Sequence, residues 1–302
     1  MTDLSPAKAR LLARWREAAT DESETPGDIP ARTSRGPAPL SLAQQRLWIL
    51  EQLQPGSAAY NLFFCGRLSG RLDPAALTTA VADLVQRHET LRTAVVTISG
   101  RPAQRTDALP PPELAVVDLR DSADFDVAVR EKMDDEAIHL RFALRTGPPA
   151  RFLLLRGPDH DCIGLVVHHL VGDGWSLGVA LRDLSACYQA RVRNEEPPLE
   201  ALPVTFADFA SWQREAVRAE DWQSDLGYWA DRLHDLTPLE LPLDRPRPAI
   251  LSLDGDWLPI ELGARTSDAI RALARARDTT RQLLPCCSRF TRPCCRGSAA
   301  KP

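Results

Sequence analysis

Residues 166–176 read VVHHLVGDGWS. The first part belongs to a longer apolar run, CIGLVVHHL at 162–170, whose β-branched side chains predict a buried strand. The second part, LVGDG, is a turn that leads into SLGVALRDLSACYQARVR at 176–193. There Leu177, Leu181, Leu184 and Tyr188 recur at helical spacing, so a helix follows. Consecutive strand side chains point to opposite faces, so His168 and His169 cannot both reach one metal ion, and no metal site is expected. His168 is predicted to face the core. His169 is predicted to face a cavity at the strand end, where a rigid scaffold presents a side chain to substrate. An imidazole titrates near neutrality and can take a proton from an attacking amine or hydroxyl. Asp173 can serve as a base, orient the histidine or anchor the loop to an arginine. Gly174 removes bulk where a substrate or another backbone approaches, and Ser176 is placed to cap the helix.

Working outward, ARFLLLR at 150–156 reads as a second strand, joined to the first by the turn GPDHD. LDPAALTTAVADLVQRHETLR at 72–92 is the clearest helix, with Asp73 as its cap, Pro74 as its first residue and a buried stripe of Leu77, Val81, Leu84 and Val85. LSLAQQRLWILEQL and DFDVAVREKMDDEAIHLRF also read as helices, while LFFCGRLSG, LRTAVV and ELAVVDL read as strands. This alternation predicts an α/β fold. It contains no glycine-rich phosphate loop. At the N-terminus, a short helix capped by Ser5 precedes the polar, proline-rich linker TDESETPGDIPARTSRGPA.

With 302 residues, 44% hydrophobic, the chain can bury one large core or two smaller ones. A net charge of −4 with no basic stripe argues against a nucleic-acid partner. No signal peptide and no apolar run of membrane-spanning length occurs, so a cytoplasmic protein without a membrane partner is expected. Cys65, Cys162 and Cys187 sit singly in apolar surroundings and are expected to be small buried hydrophobes. His88, His139, His160 and His234 are assigned surface or packing roles.

HHLVGDGWS resembles the HHxxxDG signature of condensation domains in nonribosomal peptide synthetases and of their chloramphenicol-acetyltransferase-like relatives. LSLAQQRLWILEQLQPGSAAYN and RHETLRT resemble the first and second motifs of condensation domains. VTFADFASWQRE, YWADRL and LPLDRPRP resemble the segments that follow the active-site motif. The likeness runs in order from about residue 38 to residue 280. It implies a chloramphenicol-acetyltransferase-like two-layer α/β sandwich built of two lobes, with the active site in a tunnel between them. It also implies amide formation between two thioesters, each presented on the phosphopantetheine arm of a carrier domain, an upstream donor and a downstream acceptor. No cofactor is expected to bind the chain directly. Heterocyclisation domains replace both histidines with acids, and epimerisation domains differ in the opening motif. The subtype joining two L residues fits best. By this resemblance His169 is the catalytic or substrate-positioning residue and Gly174 brings its backbone N–H to the reacting atoms. His168 is structural, Asp173 pairs with Arg92, and Trp175 and Ser176 flank the site.

The resemblance divides the chain into an N-terminal helix and linker at 1–37, which is a possible docking element, and a complete N-terminal lobe at 38–215. The start of a C-terminal lobe follows at 216–280, and then a tail at 281–302. That tail, RQLLPCCSRFTRPCCRGSAAKP, carries Cys286, Cys287, Cys294 and Cys295 and no helical stripe. If LPCC is encoded CTG CCC TGC TGC, a shifted frame gives Ala-Leu-Leu, and RPCC gives the same. A frameshifted, inactive fragment is therefore expected. The alternatives are a catalytically idle carrier-binding remnant and a free-standing acyltransferase that uses coenzyme A thioesters.

Overall fold

A computed structural model describes residues 29–107, 109–216, 219–237 and 262–276. The expected helix near the N-terminus, the first part of the linker and the tail at 281–302 lie outside these residues. The chain divides into two compact units, Met1–Arg218 and Ala219–Pro302.

The described part of the first unit contains seven strands in two sheets. β2 (Asn61–Arg67), β5 (Leu114–Asp118), β6 (Ala150–Arg156) and β7 (Asp161–His168) form a sheet of order β2-β7-β6-β5. Its pairings are antiparallel except for β5 with β6, which run parallel. β1 (Ala38–Pro39), β3 (Ala94–Ile98) and β4 (Arg101–Arg105) form a smaller antiparallel sheet of order β1-β4-β3. The helices of this unit are α1 (Leu42–Leu53), α2 (Pro74–Arg87), α3 (Phe125–His139), α4 (Gly174–Val192) and α5 (Phe206–Ala216). A 3₁₀ turn at Glu89–Arg92 follows α2, so Leu91 and Arg92 are not part of the strand predicted there. The mixed α/β architecture read from the sequence is the one observed.

β4 has no counterpart in the sequence reading. Ile98 pairs with Arg101, which leaves a two-residue turn, Ser99–Gly100. Both turn residues have positive φ, 48° and 76°, the backbone that matches the twist of a tight hairpin.

All eight residues of β7 are buried, as expected for a central strand covered on both faces. On one face a Cβ at Gly164 would meet Met133 Sδ of α3 at 2.6 Å. The opposite face carries Leu165 and Val167, which share a cavity wall with Ala180 of α4. Neighbouring β6 contributes Phe152, Leu153, Leu154 and Leu155, all fully buried. Each such side chain contributes about 1.5–3 kcal/mol on leaving water. β2 alternates instead, and Cys65 falls on its exposed side, unlike buried Cys162 and Cys187. The expectation of three buried thiols is corrected for Cys65.

α2 has the predicted cap and stripe: Asp73 accepts from Ala75 N and Ala76 N, and Leu77, Val81, Leu84 and Val85 are buried. α4 buries Ala180, Leu184, Cys187 and Ala190, with Asp183 among them. Leu184 of the predicted stripe is buried, Leu177 and Tyr188 pack against the core, and the Tyr188 hydroxyl accepts from the Asp73 amide at the start of α2; Ala180, Cys187 and Ala190 complete the buried face in place of Leu181.

In the second unit, the described residues form α6 (Ala219–Leu233) and α7 (Ala264–Ala276). Among the described residues no helix is long and apolar enough to cross a membrane.

Candidate active site

β7 ends at His168, and both neighbouring chain segments hold that end. His168 N donates to Pro149 O at 2.9 Å and His169 N to Tyr60 O at 2.8 Å. The two histidines then part. His168 is 2% exposed, its ring edge-on to Phe142 and tilted against Tyr60. Its Nδ1 accepts from Leu170 N at 3.1 Å, which places the imidazole proton on Nε2. That Nε2 is buried without a hydrogen-bond partner. Burial, with the adjacent His169 second, pushes the His168 imidazole down to about 4, so it is neutral at physiological pH.

His169 is exposed. Its Nδ1 lies 2.9 Å from Gly172 O. A carbonyl only accepts, so Nδ1 is the protonated nitrogen of the neutral ring and Nε2 keeps its lone pair. The loop thus selects the tautomer of its own histidine and leaves a proton acceptor facing outward.

Asp173 is the N-cap of α4, the position the sequence reading gave to Ser176. Its Oδ1 accepts from Ser176 N at 2.8 Å and from Ser176 Oγ at 2.7 Å. Ser176 is the capped residue because its amide lies in the first turn, where helical N–H groups lack an intrahelical acceptor. The Ser176 hydroxyl, and then its amide, hold the Asp173 carboxyl below the usual carboxylate range. Gly174 is the first residue of α4, and a Cβ there would meet nothing within 4 Å. Among the described residues nothing crowds it, so no neighbouring backbone makes the close approach that was one of the two readings of this glycine. The tight glycine is Gly172, whose Cβ would meet Ser176 Cβ at 3.2 Å. Trp175 is 84% exposed, the most exposed of the large hydrophobic side chains described.

The structure does not bring Arg92 and Asp173 together. Arg92 donates to Val85 O and Thr106 O, which ties the turn after α2 to the end of β4. Asp173 is occupied by Ser176. Sequence reading missed this because both groups satisfy themselves locally. The two residues share no partner, so the losses from Arg92→Ala and Asp173→Ala are expected to add within about 0.5 kcal/mol. Asp173→Ala alone should cost about 1 kcal/mol as a lost cap. A urea double-mutant cycle measures this, and a coupling above about 1 kcal/mol would restore the pair.

Beside the loop lies a cavity of about 220 Å³, lined by Leu91, Leu165, Val167, Val171, Leu177 and Ala180, with Gly172, Trp175 and Ser176 at the loop side. His169 is not part of its wall. His88 is, and its Nε2 sits 2.8 Å from Asp183 Oδ2. Arg87 Nε donates to the same oxygen at 3.1 Å, and Arg182 binds Oδ1. Burial pushes the Asp183 carboxyl up, but the hydrogen bonds from His88, Arg182 and Arg87 outweigh it and hold the group below its ordinary value. This knot ties the end of α2 to α4. His139 ends α3, exposed His234 has Nδ1 2.9 Å from the neighbouring Asp235 Oδ1, and His160 stacks edge-on against Phe125. Among the described residues no three His, Cys, Asp or Glu side chains gather as metal ligands would.

The profile of the Condensation domain family matches residues 34–284. The chain is 41% identical over 241 residues to a linear gramicidin synthase of Brevibacillus parabrevis, covering 78% of this chain and 3% of that protein. It is 40% identical over 288 residues to the phosphinothricin tripeptide synthetase of Streptomyces viridochromogenes, covering 92% of this chain and 26% of that one. It therefore spans only a small part of these curated relatives. Among solved structures, a complex of the X-domain and OxyB from teicoplanin biosynthesis superposes with a TM-score of 0.65 at 29% identity, covering 74% of this chain and 49% of that one. The first condensation domain of the calcium-dependent antibiotic synthetase shares the fold, with a TM-score of 0.60. With its histidine-bearing strand end, capped helix and this match across most of its length, the chain belongs to the condensation-domain family of nonribosomal peptide synthetases.

Proposed function

We propose that this chain carries the histidine side of a site that joins two L-configured residues by an amide bond. The donor is an aminoacyl or peptidyl thioester on an upstream carrier domain. The acceptor is an aminoacyl thioester on a downstream carrier domain. The acceptor amine attacks the donor carbonyl, the C–N bond forms, the C–S bond breaks, and the upstream phosphopantetheine leaves as a thiol.

The observation that carries this reading is the arrangement of His169: exposed, with Nδ1–H directed to Gly172 O and Nε2 left as an acceptor. A base so placed receives the proton the amine loses. The same ring can align the amine, and alignment of two tethered reactants alone is worth a large part of the barrier. His168 holds the loop from below, Asp173 starts α4, and the Gly174 amide belongs to that helix's open first turn. Arg92 ties its turn to α2 through Val85 O and to the residue after β4 through Thr106 O. Trp175, exposed beside the loop, offers an apolar flank to an arriving substrate.

The composition of residues 281–302 supports a second part of the proposal: the 302-residue chain is idle alone, and a complete C-terminal lobe is needed for turnover. The experiment offers a donor on a carrier or on coenzyme A, together with a loaded acceptor carrier, first to this chain and then to residues 1–280 joined to the remainder of a C-terminal lobe. Dipeptidyl product from the carrier-bound donor with the completed protein only is the expected result. Product from the 302-residue chain alone would refute the idle reading. A preference for the coenzyme A donor would turn the assignment to a free-standing acyltransferase.

A further inference from the structure

We propose that Gln44 is a positioning residue for His169, acting through the backbone of Leu170; this rests on the reading of His169 as the proton acceptor. Gln44 is 2% exposed at the third position of α1. Its Oε1 accepts from Ser41 N at 3.0 Å, completing a capping box. Gln104 Nε2, itself bound to Pro39 O at 2.8 Å, lies 3.3 Å from the same oxygen. These two donors fix which end of the Gln44 amide is oxygen. Nε2 is therefore aimed the other way, at Leu170 O, 3.2 Å off. Leu170 N is held by His168 Nδ1. Both backbone groups of Leu170, itself 3% exposed, are thus gripped by buried side chains from different elements. Two residues on is the Gly172 carbonyl that sets the His169 tautomer.

A capping box is served equally by Glu or Gln. The Leu170 carbonyl is not, because it needs a donor. Gln44→Glu in the 302-residue chain keeps the acceptor for Ser41 N and, once ionised, has no donor for Leu170 O; burial opposes that ionisation, while Ser41 N, Gln104 Nε2 and a pH of 8 favour it. The measurement is the ¹⁵N spectrum of histidine-labelled protein at pH 8. The unmodified chain is expected to show His169 with a protonated Nδ1 and an unprotonated Nε2. The variant, with its amide spectrum still dispersed, is expected to lose that signature and show the two tautomers mixed. An unchanged His169 signature in a folded variant would overturn the proposal. Should the variant not fold, hydrogen exchange in the unmodified chain decides. Gln44 Nε2–H protons protected like the amides of β7 support the grip, and exchange at the rate of a free side-chain amide refutes it. Neither readout depends on turnover, so the reading of His169 in catalysis and the role of Gln44 can fail separately.

Discussion

His169→Ala, in residues 1–280 joined to the remainder of a C-terminal lobe, is expected to slow dipeptidyl formation by about 10²–10⁴-fold, the usual contribution of a positioned general base. The fold should survive, because His169 is exposed and, among the described residues, its side chain hydrogen-bonds to Gly172 O within the same loop. The melting temperature should accordingly change little. His169→Gln separates the two possible roles of the ring. A glutamine can hold an amine by hydrogen bonding but does not accept a proton near neutrality, so a rate restored by glutamine identifies alignment and a rate still lost identifies proton transfer. Stopped-time assays on loaded carriers read both. A His169→Ala protein that works at the normal rate would remove this residue from the mechanism.

His168 is expected to produce the second large effect, on stability rather than rate. Burial lowers its imidazole from the ordinary 6.5 to about 4. Between those values the unfolded chain holds a proton that the folded chain does not, so stability falls as pH is lowered from about 6.5 toward 4. The full difference is about 3 kcal/mol, present above the unfolded value and lost as pH drops through the folded one. Replacing His168 by Gln removes this titration. The gap between unmodified and variant proteins, read from urea midpoints, should narrow by up to about 3 kcal/mol from pH 7 to pH 4. A gap independent of pH would show that the buried ring is not held neutral. His168→Ala should also lower the melting temperature, since it leaves Leu170 N without an acceptor and opens space between Tyr60 and Phe142.

The parts of this fold that rest on periodicity were readable in the chain itself. The apolar run within β7, the ARFLLLR strand and the Asp73–Pro74 start of α2 each carry one dominant local signal, and tertiary packing agrees with it. β4 escaped because RPAQR is polar and contains a proline; only its hairpin turn and the pairing with β1 and β3 make it a strand. The stripe of α4 was legible only in part, because large side chains weigh more in a pattern than Ala180, Cys187 and Ala190, which are buried beside Leu184.

At the site, strand alternation was enough to separate a buried His168 from an exposed His169. It could not give their partners. Asp173, a choice among base, orienter and anchor in the sequence, turned out to cap α4 through Ser176. The anchor reading failed because Arg92 satisfies itself on the carbonyls of Val85 and Thr106. Gln44 and His88 went unrecognised for another reason. Their partners, Leu170 and Asp183, lie 126 and 95 residues away, and no local pattern marks a polar side chain for burial at such a distance.

The central claim is amide formation between two carrier-bound thioesters at the His169 loop. The most direct measurement is intact-protein mass spectrometry of both carriers in a single turnover, with no nucleotide or metal added, using residues 1–280 joined to the remainder of a C-terminal lobe. The acceptor carrier should gain the mass of the donor acyl group while the donor carrier returns to its free thiol in equal amount. A donor carrier that loses its acyl group to water, with no gain on the acceptor, would contradict the account.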